Sequence, residues 1–136
     1  MKKNVFVVIV TYNGERWIEG NIKSLLKSHY PCKIVIIDNG STDSTIDIIC
    51  NFKAIKLIDN KSNLGFGQAN NIGIEYSQKN NSDYIFLLNQ DVQVEGNTIS
   101  NLVQVLEENK DFGVLSPLHF NGKGDKYDYN FKRYME

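Results

Sequence analysis

Three short polar runs follow directly on apolar ones: Thr11-Tyr12-Asn13, Asp38-Asn39-Gly40-Ser41-Thr42-Asp43 and Asn89-Gln90-Asp91. Together they offer hydroxyls, amides and carboxylates. A carboxylate such as Asp38 at a strand end can accept hydrogen bonds from a base N–H or from ribose hydroxyls, or it can open an Asx-turn. The Tyr12 ring can stack on a base or lie as a lid over a core. Asp91 is a hard oxygen ligand suited to Mg2+ or Mn2+. The former is typically held by one or two carboxylates plus substrate phosphates. The competing role for Asp91 is that of a strand-end turn residue. A fourth run, Asn63-Leu-Gly-Phe-Gly-Gln-Ala-Asn-Asn-Ile-Gly73, carries three glycines. Gly costs about 1 kcal/mol in a helix interior relative to Ala. Gly65, Gly67 and Gly73 therefore suggest close approach of a ligand or strand, or a Gly-permitted helix entry with Gly73 as a packing contact.

These runs need elements to position them. Asn4–Val10 is a β-branched stretch of the kind buried on both faces of a sheet. Glu15–Ser28 then places Ile18, Ile22, Leu25 and Leu26 on one helical stripe, and Pro31 ends it. Lys33–Ile37 is a second strand. A helix follows with Ile46, Ile49 and Cys50 on one face, capped by Ser41 or Thr42. Ile55–Ile58 is a third strand and Leu64–Ser77 a Gly-interrupted helix. Tyr84–Leu88 is a fourth strand and Asn97–Asn109 a helix. Phe112–Leu115 reads as a fifth strand stopped by Pro117. This β-α alternation predicts an α/β fold with a mostly parallel sheet flanked by helices. In such sheets ligands bind at the carboxyl ends of the strands, where the polar runs fall.

The chain has 136 residues, enough for one domain with a sizeable core. Its 15 basic and 16 acidic residues leave a net charge of −1, which argues against a nucleic-acid partner. Val5–Val10, the longest apolar run, falls far short of the roughly 18 residues that span a bilayer, and no signal-peptide pattern is present. These features point to a cytoplasmic protein. Cys32 and Cys50 lack CxxC spacing and read as small core residues. His29 and His119 are too isolated for a zinc site or a triad. Gly65-x-Gly67 begins like a dinucleotide fingerprint, but Asn70 holds the third position and the stretch is not in the first βα turn. No GxxxxGK[ST] or GxSxG run occurs.

The four polar and glycine-bearing runs, in this order over residues 4 to about 117, resemble the N-terminal, donor-binding half of family 2 glycosyltransferases. The Asn-x-Asp at Asn89–Asp91 and the Asn-x-Gly-x-Gly stretch are most similar to the bacterial rhamnosyltransferase-type branch. The resemblance implies a Rossmann-like GT-A fold for residues 1–117. Residues 118–136 are then a tail, the start of an acceptor-binding half that is not in the chain. It implies transfer of a sugar from a UDP- or dTDP-sugar to a glycan or lipid-linked acceptor, with inversion and Mg2+ or Mn2+. Thr11 and Tyr12, with Asn13, would line the base pocket. Asp38 would contact base or ribose, and Asp43 would border that pocket. Gly65, Phe66 and Asn70 would lie near ribose and diphosphate. Asn89 would stand where an acidic residue is usual, and Asp91 would ligate the metal. Peripheral attachment to the inner membrane face and a role in polysaccharide biosynthesis are compatible with this.

A general base must reach the acceptor hydroxyl, directly or through one water. Asp125 and Asp128 sit in the tail, and no motif supports either, so the catalytic residues are not identified. The alternative is a nucleotide-sugar-binding module without turnover, or a truncated inactive fragment. A nucleotidyltransferase would need a Gly-rich basic loop after the first strand, which Thr11–Glu15 is not. Phe120, Tyr127, Tyr129, Phe131 and Tyr134 suggest a surface awaiting a packing partner.

Overall fold

The computed structural model describes residues 2–135, without the side chains of Asn130, Tyr134 and Met135. By internal contacts the chain separates into two units, Met1–Ser100 and Asn101–Glu136. The seam expected after residue 117 lies inside the second.

In the first unit, strands β1 (Val5–Thr11), β2 (Cys32–Asp38), β3 (Ile55–Asp59) and β4 (Tyr84–Asn89) form one all-parallel sheet in the order β3-β2-β1-β4. Every residue of β1 is buried, as its unbroken apolar run requires. Alternate side chains divide between the two faces. Phe6, Val8 and Val10 of β1 and Val35 and Ile37 of β2 form one core with Ala69 of helix α3 (Phe66–Lys79). A Cβ on Gly73 would lie 2.3 Å from Val8 Cγ1 and 2.6 Å from Ile37 Cδ1. Gly73 is therefore a packing contact that lets α3 lie close on the sheet. On the other face Val7, Ile9 and Ile36 are buried. So are Ile18, Ile22 and Leu25 of helix α1 (Ile18–Leu26) and Ile49 of helix α2 (Thr45–Cys50).

Helix α4 (Thr98–Glu108) runs from the first unit into the second. The expected fifth strand is absent. Residues 112–115 have no ladder partner among the described residues, and Phe112 and Val114 are exposed. A four-residue apolar run has no stability as a strand without a sheet edge to pair with. The tail forms an antiparallel bridge between Phe120 and Tyr127 and a helix α5 (Tyr129–Met135). Asp128 caps that helix, its carboxylate accepting the Phe131 N–H at 3.1 Å. The tail aromatics are partly paired among themselves. The Phe120 and Tyr127 rings lie 5.2 Å apart, and Phe131 stacks on His119 at 4.6 Å. The side chain of Tyr134 lies outside the described residues.

Helix α2 begins at Thr45 rather than next to Ser41 or Thr42; the Ser44 side chain makes no capping bond, and the first helical N–H, that of Thr45, donates to Asp43 Oδ1 at 3.0 Å. The cysteines are not core residues. Cys32 is half-buried, with its thiol pKa pushed up by burial, and Cys50 is exposed. No helix among the described residues is long and apolar enough to cross a membrane.

Candidate functional site

The strand order reverses between β1 and β4. From β1 the sheet grows outward through β2 to β3, then the chain returns to β1's other side as β4. Such a switch point opens a crevice at the strands' carboxyl ends. A cavity of about 350 Å3 lies there, lined by Val10, Tyr12, Trp17, Asn39, Asn63, Phe66, Asn89, Gln90 and Asp91. Small-molecule pockets of about 300 Å3 and upward are typical of ligand sites.

Three aromatic rings, Tyr12, Trp17 and Phe66, line this cavity and are substantially exposed. Their flat faces suit stacking on a planar ring. The Arg16 guanidinium lies 5.8 Å from the Trp17 ring, so a cation sits beside one wall. Asn89 and Asp91 are exposed, and their side chains have no hydrogen-bond or ionic partner among the described residues. The described residues contain no group of three or more His, Cys, Asp or Glu able to hold a metal by themselves. One free carboxylate on a cleft wall instead suits a hard cation shared with ligand phosphates.

Of the residues singled out in the sequence, Tyr12, Phe66, Asn89 and Asp91 line the cleft. The others have partners within the protein. Asp38 is fully buried. Its Oδ1 accepts from Thr11 Oγ1 at 2.9 Å and Ser41 Oγ at 2.6 Å, and its Oδ2 from the N–H groups of Gly40 at 3.1 Å and Ser41 at 2.8 Å. A positive φ of 84° at Gly40 lets the chain turn back over the carboxylate. Asn13 and Asp43 join the loop after β1 to the loop after β2. The Thr42 N–H donates to Asn13 Oδ1 at 2.9 Å, and the Asn13 N–H to Ser41 Oγ at 2.9 Å. The Glu15 N–H donates to Asp43 Oδ2 at 3.1 Å. Asn70 is buried and donates to the Phe66 carbonyl at 3.0 Å, bracing the first turn of α3. Gly65, at φ 85°, is the N-cap of that helix.

Trp17, Asn39, Asn63 and Gln90 were not singled out from the sequence. Asn39 donates to Asn63 Oδ1 at 2.8 Å and accepts the Leu64 N–H at 3.0 Å, fixing the loop that presents Phe66. Gln90 grips both backbone groups of Tyr12. Its Oε1 accepts the Tyr12 N–H at 3.1 Å, and its Nε2 donates to the Tyr12 carbonyl at 3.2 Å. A Cβ on Gly14 would lie 2.3 Å from Gln90 Oε1, so a side chain there would push the Gln90 amide out of this clamp. Asn39, Asn63 and Gln90 all lie inside the polar runs, but nothing in their spacing separates a lining amide from a turn residue.

Burial raises the Asp43 pKa, but hydrogen bonds from the Thr45 hydroxyl and from the Glu15 and Thr45 N–H groups outweigh it. The net effect holds the carboxyl below its ordinary value of 3.8. A folded-state pKa below the unfolded one contributes stability that is present above the unfolded value and lost as pH falls through the folded one. The junction between the two loops is therefore expected to hold at pH 5 and loosen below about pH 4. Hydrogen exchange of the Glu15 and Thr45 amides against pH checks this, and Asp43→Asn should remove that acid-dependent step.

Comparison with known proteins places the chain. Residues 6–135 match the family described as Glycosyl transferase family 2. A dTDP-rhamnosyl transferase, RfbF, of Shigella flexneri is 27% identical over 129 residues, 93% of this chain and 42% of that protein. The TarS fragment 1–349 of S. aureus, solved in complex with UDP-GlcNAc, superposes with a TM-score of 0.72 at 20% identity. The match covers 85% of this chain and 38% of that one. The mannosyltransferase PcManGT of Pyrobaculum calidifontis, solved with GDP-Man and Mn2+, superposes with a TM-score of 0.71 at 22% identity, covering 78% and 33%. The chain spans less than half the length of the curated relatives it matches. The parallel sheet with its flanking helices is the GT-A fold of nucleotide-sugar transferases, and the chain belongs to glycosyl transferase family 2.

Proposed function

We propose that this chain is the donor-binding part of a glycosyltransferase. In this reading it holds a uridine or deoxythymidine diphosphate sugar in the β1/β4 cleft, for transfer with inversion to a glycan or lipid-linked acceptor. The observation that carries the reading is the cleft itself: aromatic walls, neutral amides and one unpartnered carboxylate at the sheet's switch point. The S. flexneri relative bears a dTDP-rhamnosyl transferase name, and the TarS neighbour was solved with UDP-GlcNAc. Both support a pyrimidine diphosphate donor.

Tyr12, Trp17 and Phe66 offer stacking surfaces for the base. The Asn39 and Asn63 amides, both on the lining, can orient hydroxyls by hydrogen bonds. Thr11, Asn13, Asp38 and Asp43 hold the two loops in register from below and between, while Gly65 and Asn70 set the start of α3. Asp91, with the Asn89 amide oxygen beside it, would hold a Mg2+ or Mn2+ ion, in keeping with the Mn2+ in the mannosyltransferase neighbour. A divalent cation there would neutralise the departing diphosphate.

A second reading, a binding module without turnover, is favoured by one observation. The two tail aspartates considered as bases are engaged in local turns. Asp128 caps α5, and Asp125 Oδ1 accepts from Asn121 Nδ2 at 2.8 Å. Calorimetric titration with UDP, dTDP and GDP, each with Mn2+ and with EDTA, tests the proposal. Metal-enhanced binding of UDP or dTDP is the expected result, and a folded chain that binds none of the three would overturn it. Slow hydrolysis of the donor sugar would separate the enzyme from the module.

A further inference from the structure

The turn that carries Asp91 leaves the sheet and runs as turn and coil through residues 90–97, with neither strand nor helix to fix it. Its one internal backbone bond is weak, the Val92 N–H to the Asn89 carbonyl at 3.3 Å. A backbone bond from the His29 N–H to the Gly96 carbonyl at 2.8 Å holds the far end of the segment, and nearer Asp91 the turn is strapped by side chains. Asn21, on α1 and 1% exposed, donates both hydrogens of its Nδ2, to the Asn89 carbonyl at 2.9 Å and to the Val92 carbonyl at 2.7 Å. One turn further along α1, Ser24 Oγ accepts the Val94 N–H at 3.2 Å while donating to the Asn21 carbonyl at 2.7 Å. The Gln93 side-chain amide lies close over Gly20, where a Cβ would stand 3.0 Å from its Nε2. On the other side Gln90 clamps the Tyr12 backbone. Asp91 thus lies between two carboxamide clamps that do not touch its own carboxylate.

The Asn21 side chain carries a cost. Its Oδ1 is buried and has no hydrogen-bond partner among the described residues. An unpartnered buried acceptor is unfavourable, and an apolar residue of the same shape would avoid it. Ile18, Ile22 and Leu25 on the same helix are apolar and buried. An amide at position 21 is retained against that preference, and its two donors converge on the carbonyls that flank Gln90 and Asp91.

We infer that Asn21 is a positioning residue for Asp91. It preorganises the Asn89–Val92 turn so that the carboxylate meets a cation-bound diphosphate without reordering. This rests on the reading of Asp91 as a cation ligand given above. Groups that orient a ligating side chain typically change metal affinity by about 10- to 100-fold when removed.

The test is Asn21→Leu, which keeps the shape and removes both donors. UDP affinity in EDTA should stay within about twofold of the parent chain, because the base and ribose contacts are elsewhere. The gain in UDP affinity on adding Mn2+ should fall about tenfold or more. The Val92 amide should exchange faster while the Val94 amide, held by Ser24, changes little. An unchanged Mn2+ gain in a folded variant overturns the inference. Exchange in the parent chain supplies an independent arm, should the variant not fold. Slow exchange at Val92 supports a preorganised turn, and exchange at the rate of an unprotected amide overturns it. If the parent chain binds UDP without any Mn2+ effect, the cation reading of Asp91 fails. The exchange comparison still decides whether Asn21 holds the turn.

Discussion

Asp91→Ala is expected to remove the Mn2+-dependent part of the proposed nucleotide binding, weakening UDP or dTDP affinity in Mn2+ by about tenfold or more while leaving affinity in EDTA unchanged. The expectation follows from the geometry. The carboxylate lines the cleft and has no side-chain hydrogen-bond or ionic partner among the described residues, so its removal breaks none of the described bonds. The charge count gives a companion result with the opposite sign. Asn89 is exposed, lines the same cleft and carries an amide. Asn89→Asp should tighten the apparent Mn2+ affinity by about tenfold, because cation affinity rises with the number of charged ligands. Titration of Mn2+ at fixed UDP, with both variants, reads the two effects together. Equal Mn2+ dependence in the parent chain and Asp91→Ala would place the cation elsewhere.

The largest effect on stability is expected at Asp38. Its two oxygens accept four hydrogen bonds at 2.6–3.1 Å, and no part of it is exposed. Asp38→Ala leaves the Thr11 and Ser41 hydroxyls and two N–H groups facing a cavity. The loss should be about 3 kcal/mol or more, by analogy with removing one member of a buried, charge-assisted network. For a chain of this length that corresponds to a melting temperature lower by about 10 °C. Asp38→Asn should be nearly as damaging, because its Nδ2 cannot accept from the Gly40 and Ser41 N–H groups that Oδ2 now serves. Thermal unfolding followed by circular dichroism checks both variants. A ligand-contacting Asp38 predicts the reverse pattern, with lost nucleotide affinity and an unmoved melting temperature.

The same residue shows how far the sequence could be read. An aspartate ending an apolar strand, followed by Asn-Gly-Ser, is as compatible with a ligand contact as with an Asx-turn. The local pattern fixes its place at the strand end but not the direction of its oxygens. Three of the four donors, the Gly40 N–H and the Ser41 N–H and hydroxyl, belong to the local turn; the fourth, Thr11 Oγ1, is brought alongside by the parallel pairing of β1 with β2, where Thr11 is in register with Asp38. The cross-loop bonds of Asn13 to Ser41 and Thr42 and of Asp43 to Glu15 are non-local as well, whereas Asp43 also bonds Thr45 within its own loop. Trp17 and Gln90 enter the cleft only because β4 returns beside β1, a non-local pairing that no local window contains.

The strands β1 to β4, the helices between them and the edge at which the polar runs gather were legible in the chain itself. Hydrophobic period and turn chemistry are local properties, and four of them in order leave few ways to fold. The expected fifth strand failed because a short apolar run becomes a strand only when a sheet edge accepts it. The helix in the tail went unseen because its one local signal, the cap at Asp128, stands before a run with no clear apolar period. Which polar residues face the cleft and which hold it together was decided by the tertiary structure alone. Among the described residues the Asp91 and Asn89 side chains have no partner, Asp38 is fully bonded, and Asn21, inside a helix, ends with both donors on the turn that carries Asp91. Hydrogen-bond partners follow from register and strand order, and those are settled only when distant segments meet.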